Sequence, residues 1–182
     1  MSNLKSKYSK KATNEYLSKM LKQEEPKTED LISNFDFYKY VDKDLNIIES
    51  DKIHEFSKKK IFDNKYKGSV ILINNDSGNH WVLLLKRGKT IEFFDSYGVP
   101  FEESEISSLA DTLDLKKVES NRVQFQKYSA NINTCGKHVL FRLMTHLEFD
   151  MDLKKNNEFM KKMCKNFKNT PDEIVCIFVT DV

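Results

Sequence analysis

Gly78-Asn79-His80-Trp81-Val82-Leu83-Leu84-Leu85-Lys86-Arg87-Gly88-Lys89-Thr90-Ile91-Glu92-Phe93-Phe94-Asp95-Ser96-Tyr97-Gly98 is the stretch that decides the fold. It holds two short runs rich in apolar and aromatic residues, each closed by turn residues, which is the pattern of strands. Between them Lys86-Arg87-Gly88-Lys89 has the length and the glycine of a hairpin loop, so the two strands are expected to pair antiparallel. His80 opens the first strand and Asp95 closes the second. The hairpin therefore brings an imidazole and a carboxylate side by side at one edge. A carboxylate there fixes the tautomer of the imidazole and stabilises its charged form, which suits His80 to act as a general base.

A nucleophile is offered downstream by Asn133-Thr134-Cys135-Gly136-Lys137-His138, which opens a strongly amphipathic helical run. A cysteine on the first turn of a helix faces unpaired backbone N–H groups and the positive end of the macrodipole, a setting that favours a thiolate. The small Gly136 leaves room beside it. Val139, Leu140, Leu143, Met144 and Leu147 follow at helical spacing and mark a buried stripe to about Glu148, so this is expected to be the central core helix. A plain packing role for Cys135 is the competing reading, because cysteine is among the most buried residue types. His138, three residues on, rivals His80 as base but has no carboxylate evident in the sequence to orient it. His54 and His146 sit in helical surroundings and also lack such a partner. Cys135, Cys164 and Cys176 do not have the paired spacing of a zinc site, so neither a metal nor another cofactor is expected.

His80-Trp81, Phe94-Asp95-Ser96-Tyr97-Gly98, a segment with two glutamines, and Thr134-Cys135-Gly136 leading into a helix follow one another in that order. Together they resemble the adenovirus-protease and SUMO-protease superfamily of cysteine peptidases. The segment Ile132-Asn133-Thr134-Cys135-Gly136-Lys137-His138-Val139 is most similar to the versions found in large DNA viruses, virophages and their mobile-element relatives. The resemblance covers roughly residues 66 to 148. It implies His80 as general base, Asp95 as the acid that orients it, and Cys135 as nucleophile.

The resemblance further implies a glutamine shortly before the cysteine, whose amide shares the oxyanion with the cysteine N–H. Acyl transfer through a thioester needs such donors. Gln126 lies nine positions before Cys135, a longer gap than the family pattern, and Gln124 is its rival. Alternation with Val123 and Phe125 puts both glutamines on one strand face, and Gln126 is favoured as the nearer. Trp81 reads equally as a core residue. The resemblance implies that it walls a narrow channel over Cys135, beside Gly136, which admits only small residues on the acyl side and gives a Gly-Gly or Gly-Xaa-Gly preference.

The chain has 182 residues, long enough for one domain with a self-sufficient core. We expect a basic N-terminal helix and linker over 1–28 and a single cysteine-peptidase domain over 29–182. Net charge is +2, but Lys5, Lys7, Lys10, Lys11, Lys19 and Lys22 face only Glu15 in the first 22 residues. That arm suits DNA or an acidic partner, or else a solvated helix face in a lysine-rich protein. No run approaches eighteen apolar residues and the first residues lack the apolar core of a signal peptide, so a soluble, intracellular protein with no membrane partner is expected.

Further elements are read as a helix over 9–22, short helical patterns over 29–60 forming the wall opposite the nucleophile helix, and a central strand Gly68–Asn74. Residues 102–114 read as a helix, Arg122–Gln126 as a short strand, and 154–167 as a helix. Thr170-Pro171-Asp172-Glu173 has the form of an N-cap, although Ile174–Thr180 is strand-like in composition. The architecture is α+β: a small, mostly antiparallel sheet packed against helices, with the nucleophile at the N-terminus of a central helix. The function expected is that of a cysteine endopeptidase acting on capsid or virion precursor proteins, located in the host cytoplasm or virus factory or packaged in the virion. The alternatives are a deubiquitinase- or deSUMOylase-like isopeptidase, an acetyltransferase using the same triad, and a binding module without chemistry.

Overall fold

A computed structural model describes residues 27–41, 44–75 and 78–180. The lysine-rich arm and the helix expected over 9–22 lie outside these. In chain order the elements are α1 (Asn34–Tyr40), β1 (Asn46–Glu49), a 3-10 turn (Ser50–Glu55), α2 (Lys58–Phe62), β2 (Gly68–Asn75), β3 (Gly78–Arg87) and β4 (Thr90–Asp95). A second 3-10 turn (Phe101–Glu103), α3 (Leu109–Thr112), β5 (Val118–Ser120), α4 (Cys135–Phe149), α5 (Leu153–Phe167) and α6 (Pro171–Thr180) follow.

The five strands form one sheet in sequence order. β2, β3 and β4, the long strands, run antiparallel, while the short edges β1 and β5 join β2 and β4 in parallel. The β3–β4 loop is only Gly88 and Lys89, with Arg87 paired to Thr90. Gly88 takes φ +60, the left-handed position that opens a two-residue hairpin. Trp81 to Leu85 is a continuous apolar run because both sheet faces are covered. Trp81, Leu83 and Leu85 join the core under α4, α5 and α6, whereas Val82 and Leu84 meet Ile61, Phe62 and Leu109 on the other face.

α4 packs on β3, β4 and α6. Val139, Leu140 and Leu143 are fully buried, and so are Lys137, His138, Arg142 and Thr145, which meet Lys27, Asp172 of α6, Glu92 of β4 and Asn156 of α5 respectively. Two of the buried charges pair with each other: Arg142 donates to Glu92 of β4, and the Arg87 Nε lies 3.4 Å from the other oxygen of Glu92. α6 is a helix despite its strand-like composition. Thr170 and Glu173 cap it reciprocally, with the Thr170 N–H donating to Glu173 Oε2 (2.7 Å) and the Glu173 N–H to Thr170 Oγ1 (3.3 Å), and Ile174, Val175 and Cys176 are fully buried.

Three expectations are corrected. Residues 29–60 include a strand, β1, whose four residues pair in parallel with β2. Residues 102–114 are a 3-10 turn, loose turns and the one-turn α3, and not one helix, because Ser104 turns its hydroxyl back to the Phe101 carbonyl (2.7 Å) and breaks the first turn. Arg122–Gln126 is not a strand: the side chain of Asn121 pairs with the backbone of Asp95 where the ladder would continue, and Arg122 takes a positive φ of 21.

Candidate active site

Asp95 ends β4 in a tight turn that its own side chain builds. Its Oδ1 accepts the Tyr97 N–H (2.6 Å), and the Gly98 N–H donates to the Asp95 carbonyl (3.0 Å). Gly98 has φ +77, and a Cβ there would stand 2.8 Å from the backbone of Val123 and Gln124, so glycine is required. Asn121 fixes the same residue from the other side, its Oδ1 accepting the Asp95 N–H (3.0 Å) and its Nδ2 donating to the Asp95 carbonyl (2.8 Å). With one carboxylate oxygen tied down, Oδ2 faces His80, whose Nε2 lies 3.2 Å away, slightly off the line of a full hydrogen bond.

His80 is two residues before Val82, which pairs with Asp95, so the two side chains meet diagonally across the hairpin. The His80 ring stacks on Tyr97 (centroids 4.9 Å), and Tyr97 stacks on Tyr128 (4.3 Å), which limits how the imidazole can turn. Its other contact is the thiol of Cys135. Burial opposes the charged imidazole, but the contacts with Asp95 and then with Cys135 outweigh it and hold its pKa up at about 9. The ring is thus cationic at neutral pH, beside the sulfur.

Cys135 is the first residue of α4 and lines a cleft of about 860 Å³. Leu31, Ile32, Leu72 and Trp81 form an apolar wall of this cleft, and Tyr97 and Ala130 are also part of its lining. The wall is held in place by hydrogen bonds. The Trp81 Nε1–H donates to the Ile32 carbonyl (3.2 Å), the Asn133 N–H to that of Thr28 (2.8 Å), and the Lys137 Nζ to that of Lys27 (2.6 Å), so residues 27–33 are strapped across the start of α4. Gly136 is buried under this strap, and a Cβ there would lie 3.0 Å from Ile32 Cβ and 3.1 Å from Trp81 Cδ1. Its smallness lets the wall close onto the helix.

The two glutamines do not share a face, since no strand alternation holds there: Gln124 is exposed and Gln126 buried. Gln126 Oε1 accepts the Ser96 hydroxyl (2.8 Å), and Nε2 donates to the Ile132 carbonyl (3.1 Å), in the loop entering Cys135. One N–H of its amide remains. His138 is not without a carboxylate. Its Nε2 lies 3.1 Å from Asp172 Oδ1, a partner that the sequence hides because it sits 34 residues on. His146 has a partner too, Arg87 at 3.1 Å, and burial with the charges of Arg142 and Arg87 pushes its pKa down to about 4. Cys164 and Cys176 are in no disulfide and do not line the cleft. Among the described residues no three His, Cys, Asp or Glu side chains gather as a metal site.

No model of a known protein family matches the sequence. The chain is, however, 30% identical over 162 residues to "Uncharacterized protein V9" of Sputnik virophage, spanning 79% of this chain and 91% of V9. It belongs to the V9 family. Among solved structures, the ASFV pS273R protease is similar in two crystal structures, the second of its selenomethionine form, with TM-scores of 0.49 and 0.50 and 16% identity. The alignment with the selenomethionine form covers 86% of this chain and 69% of that one, a likeness of fold. The V9 family thus has a representative whose α+β fold, a mixed sheet under a central helix, is that of a viral protease. Among the described residues of this V9 relative, no helix is long and apolar enough to cross a membrane.

Proposed function

We propose that the protein is a viral cysteine endopeptidase in which Cys135 attacks, His80 shuttles the proton and Asp95 orients His80. The observation that carries this reading is the imidazole of His80 held between the Asp95 carboxylate at 3.2 Å and the Cys135 thiol, with Cys135 lining an open cleft. The thiolate adds to the scissile carbonyl, forming the C–S bond as the carbonyl electron pair moves to oxygen. The Cys135 N–H and the remaining Gln126 N–H receive that oxyanion. As it collapses, the C–N bond breaks and imidazolium His80 gives its proton to the leaving amine. Water then attacks the thioester, His80 takes its proton, and the acid and the free thiol are released.

The wall of Ile32 and Trp81 closing on Gly136 supports small residues, glycine above all, on the acyl side of the cut. The viral origin of V9 and the protease fold of pS273R support processing of capsid or other virion precursors in the infected cell or the virion. The test is incubation with glycine-containing peptides and with co-expressed virion proteins, read by mass spectrometry, for wild type and Cys135→Ala. Cleavage after glycine that disappears in Cys135→Ala is expected. Identical fragments from both proteins, or acetyl transfer from acetyl-coenzyme A in place of cleavage, contradict the proposal.

A further inference from the structure

The central helix begins without the cap its sequence offers. A threonine at the N-cap ordinarily turns its hydroxyl back to accept a first-turn N–H. Thr134 makes no such bond and takes φ −100 and ψ 3, away from the extended backbone of most caps. Its hydroxyl instead donates to Asp172 Oδ1, a carboxylate on the first turn of α6. The same carboxylate accepts the Lys127 N–H through Oδ2 (3.0 Å) and faces His138 Nε2 at 3.1 Å. Thr134, Asp172 and His138 are all buried.

The charge states fit one arrangement. Burial works against the Asp172 charge, but the hydrogen bonds from His138, Thr134 and Lys127 outweigh it and hold the carboxyl below its usual range. Burial pulls His138 below its usual range in spite of Asp172, so it stays neutral. A carboxylate only accepts, so the proton sits on Nε2, and the buried Nδ1 is left without a partner. Asp172 thus binds the residue before Cys135 and the residue after Gln126, the two sources of oxyanion donors in the peptidase reading.

We propose that Asp172, braced by His138, is a positioning residue that holds the Thr134 hydroxyl off the helix end and so fixes the Thr134–Cys135 peptide with the Cys135 N–H turned toward the oxyanion, with Gln126 in register beside it. A released Thr134 hydroxyl would swing back to cap the Gly136 or Lys137 N–H and turn the Thr134–Cys135 peptide with it, and the Lys127 loop would lose its anchor. Neither Asp172 nor His138 lines the cleft, so both act through Thr134 and Lys127.

This inference rests on the peptidase reading, and two probes separate them. A peptide aldehyde ending in glycine adds to the thiol, its carbonyl electron pair passing to an oxygen that needs the oxyanion donors. Iodoacetamide alkylates the same sulfur with loss of iodide and does not need them. Thr134→Val and Asp172→Asn are expected to weaken aldehyde inhibition and lower kcat by about 10- to 100-fold. KM should stay within about twofold and alkylation of Cys135 within about threefold, while Thr134→Ser stays near wild type. Thr134→Val keeps the shape of the side chain and decides the matter if Asp172→Asn fails to fold. Wild-type aldehyde affinity and kcat in Thr134→Val overturn the positioning role, as does an equal fall with both probes. A wild-type protein that neither cleaves nor binds the aldehyde overturns the peptidase reading and this inference with it.

Discussion

Replacing Asp95 by Asn removes the charge that holds His80 protonated while keeping the shape of the turn, since one amide oxygen still accepts the Tyr97 N–H. The His80 pKa stands at about 9 against an ordinary 6.5. At 1.36 kcal/mol per unit, that separation corresponds to about 3 kcal/mol favouring the imidazolium. Burial opposes it, and the contact with Asp95 is the largest of the contributions that raise it. An Asn amide pointing an N–H at Nε2 would favour the neutral ring instead. In the proposed mechanism His80 must be cationic to protonate the leaving amine, so kcat/KM of the wild type is expected to fall as pH rises through about 9. In Asp95→Asn that limb should move down by roughly 2 units, with the pH-optimum rate lower by about 100- to 10,000-fold. The linked stability has the same sign. A folded pKa above the unfolded one stabilises most below about 6.5, and this contribution is lost as pH rises through about 9. The assay is kcat/KM on a glycine-containing peptide from pH 5.5 to 10, with the His80 ring titrated by NMR. A high-pH limb that stays in place in Asp95→Asn, or a His80 titrating near 6.5 in the wild type, refutes the reasoning.

Other consequences follow from neighbouring contacts. Gln126→Ala should lower kcat by about 100-fold with little change in KM, measured by steady-state kinetics. Gly98→Ala places a Cβ 2.8 Å from the Val123–Gln124 backbone at φ +77, and urea unfolding should show a loss of about 2 kcal/mol or more, with reduced activity because the Gln126 loop is displaced. Arg142→Met leaves buried Glu92 with Arg87 at 3.4 Å as its remaining cation and should cost about 3 kcal/mol, whereas Arg142→Met with Glu92→Leu should recover most of it in the same titration.

The hairpin and the start of the central helix α4 were legible because their signals are local. Gly88 marks the turn, and the apolar run after Trp81 fixes two strands, whose pairing then brings His80 to Asp95. The Thr170–Glu173 pattern likewise placed the start of α6. What stayed hidden depends on distant partners. β1 is only four residues and gains its ladder from β2. α6 is rich in β-branched residues and is helical because its cap and burial outweigh propensity. Gln124 and Gln126 alternate in sequence, but the Asn121 side chain ends the strand before them, so parity says nothing about their faces. No spacing rule links Asp172 to Thr134 and His138, and the strap of residues 27–33 shows no motif at all.

The most direct test of the proposed His80–Cys135 couple is covalent capture of the sulfur. A glycine-ended peptidyl vinyl sulfone is mixed with the protein at neutral pH and the adduct is mapped by mass spectrometry, for wild type and for His80→Ala. A single adduct on Cys135, with Cys164 and Cys176 unmodified and with labelling slowed at least about 100-fold in His80→Ala, is the expected result. Comparable labelling of Cys164, or the same Cys135 rate without His80, contradicts the account.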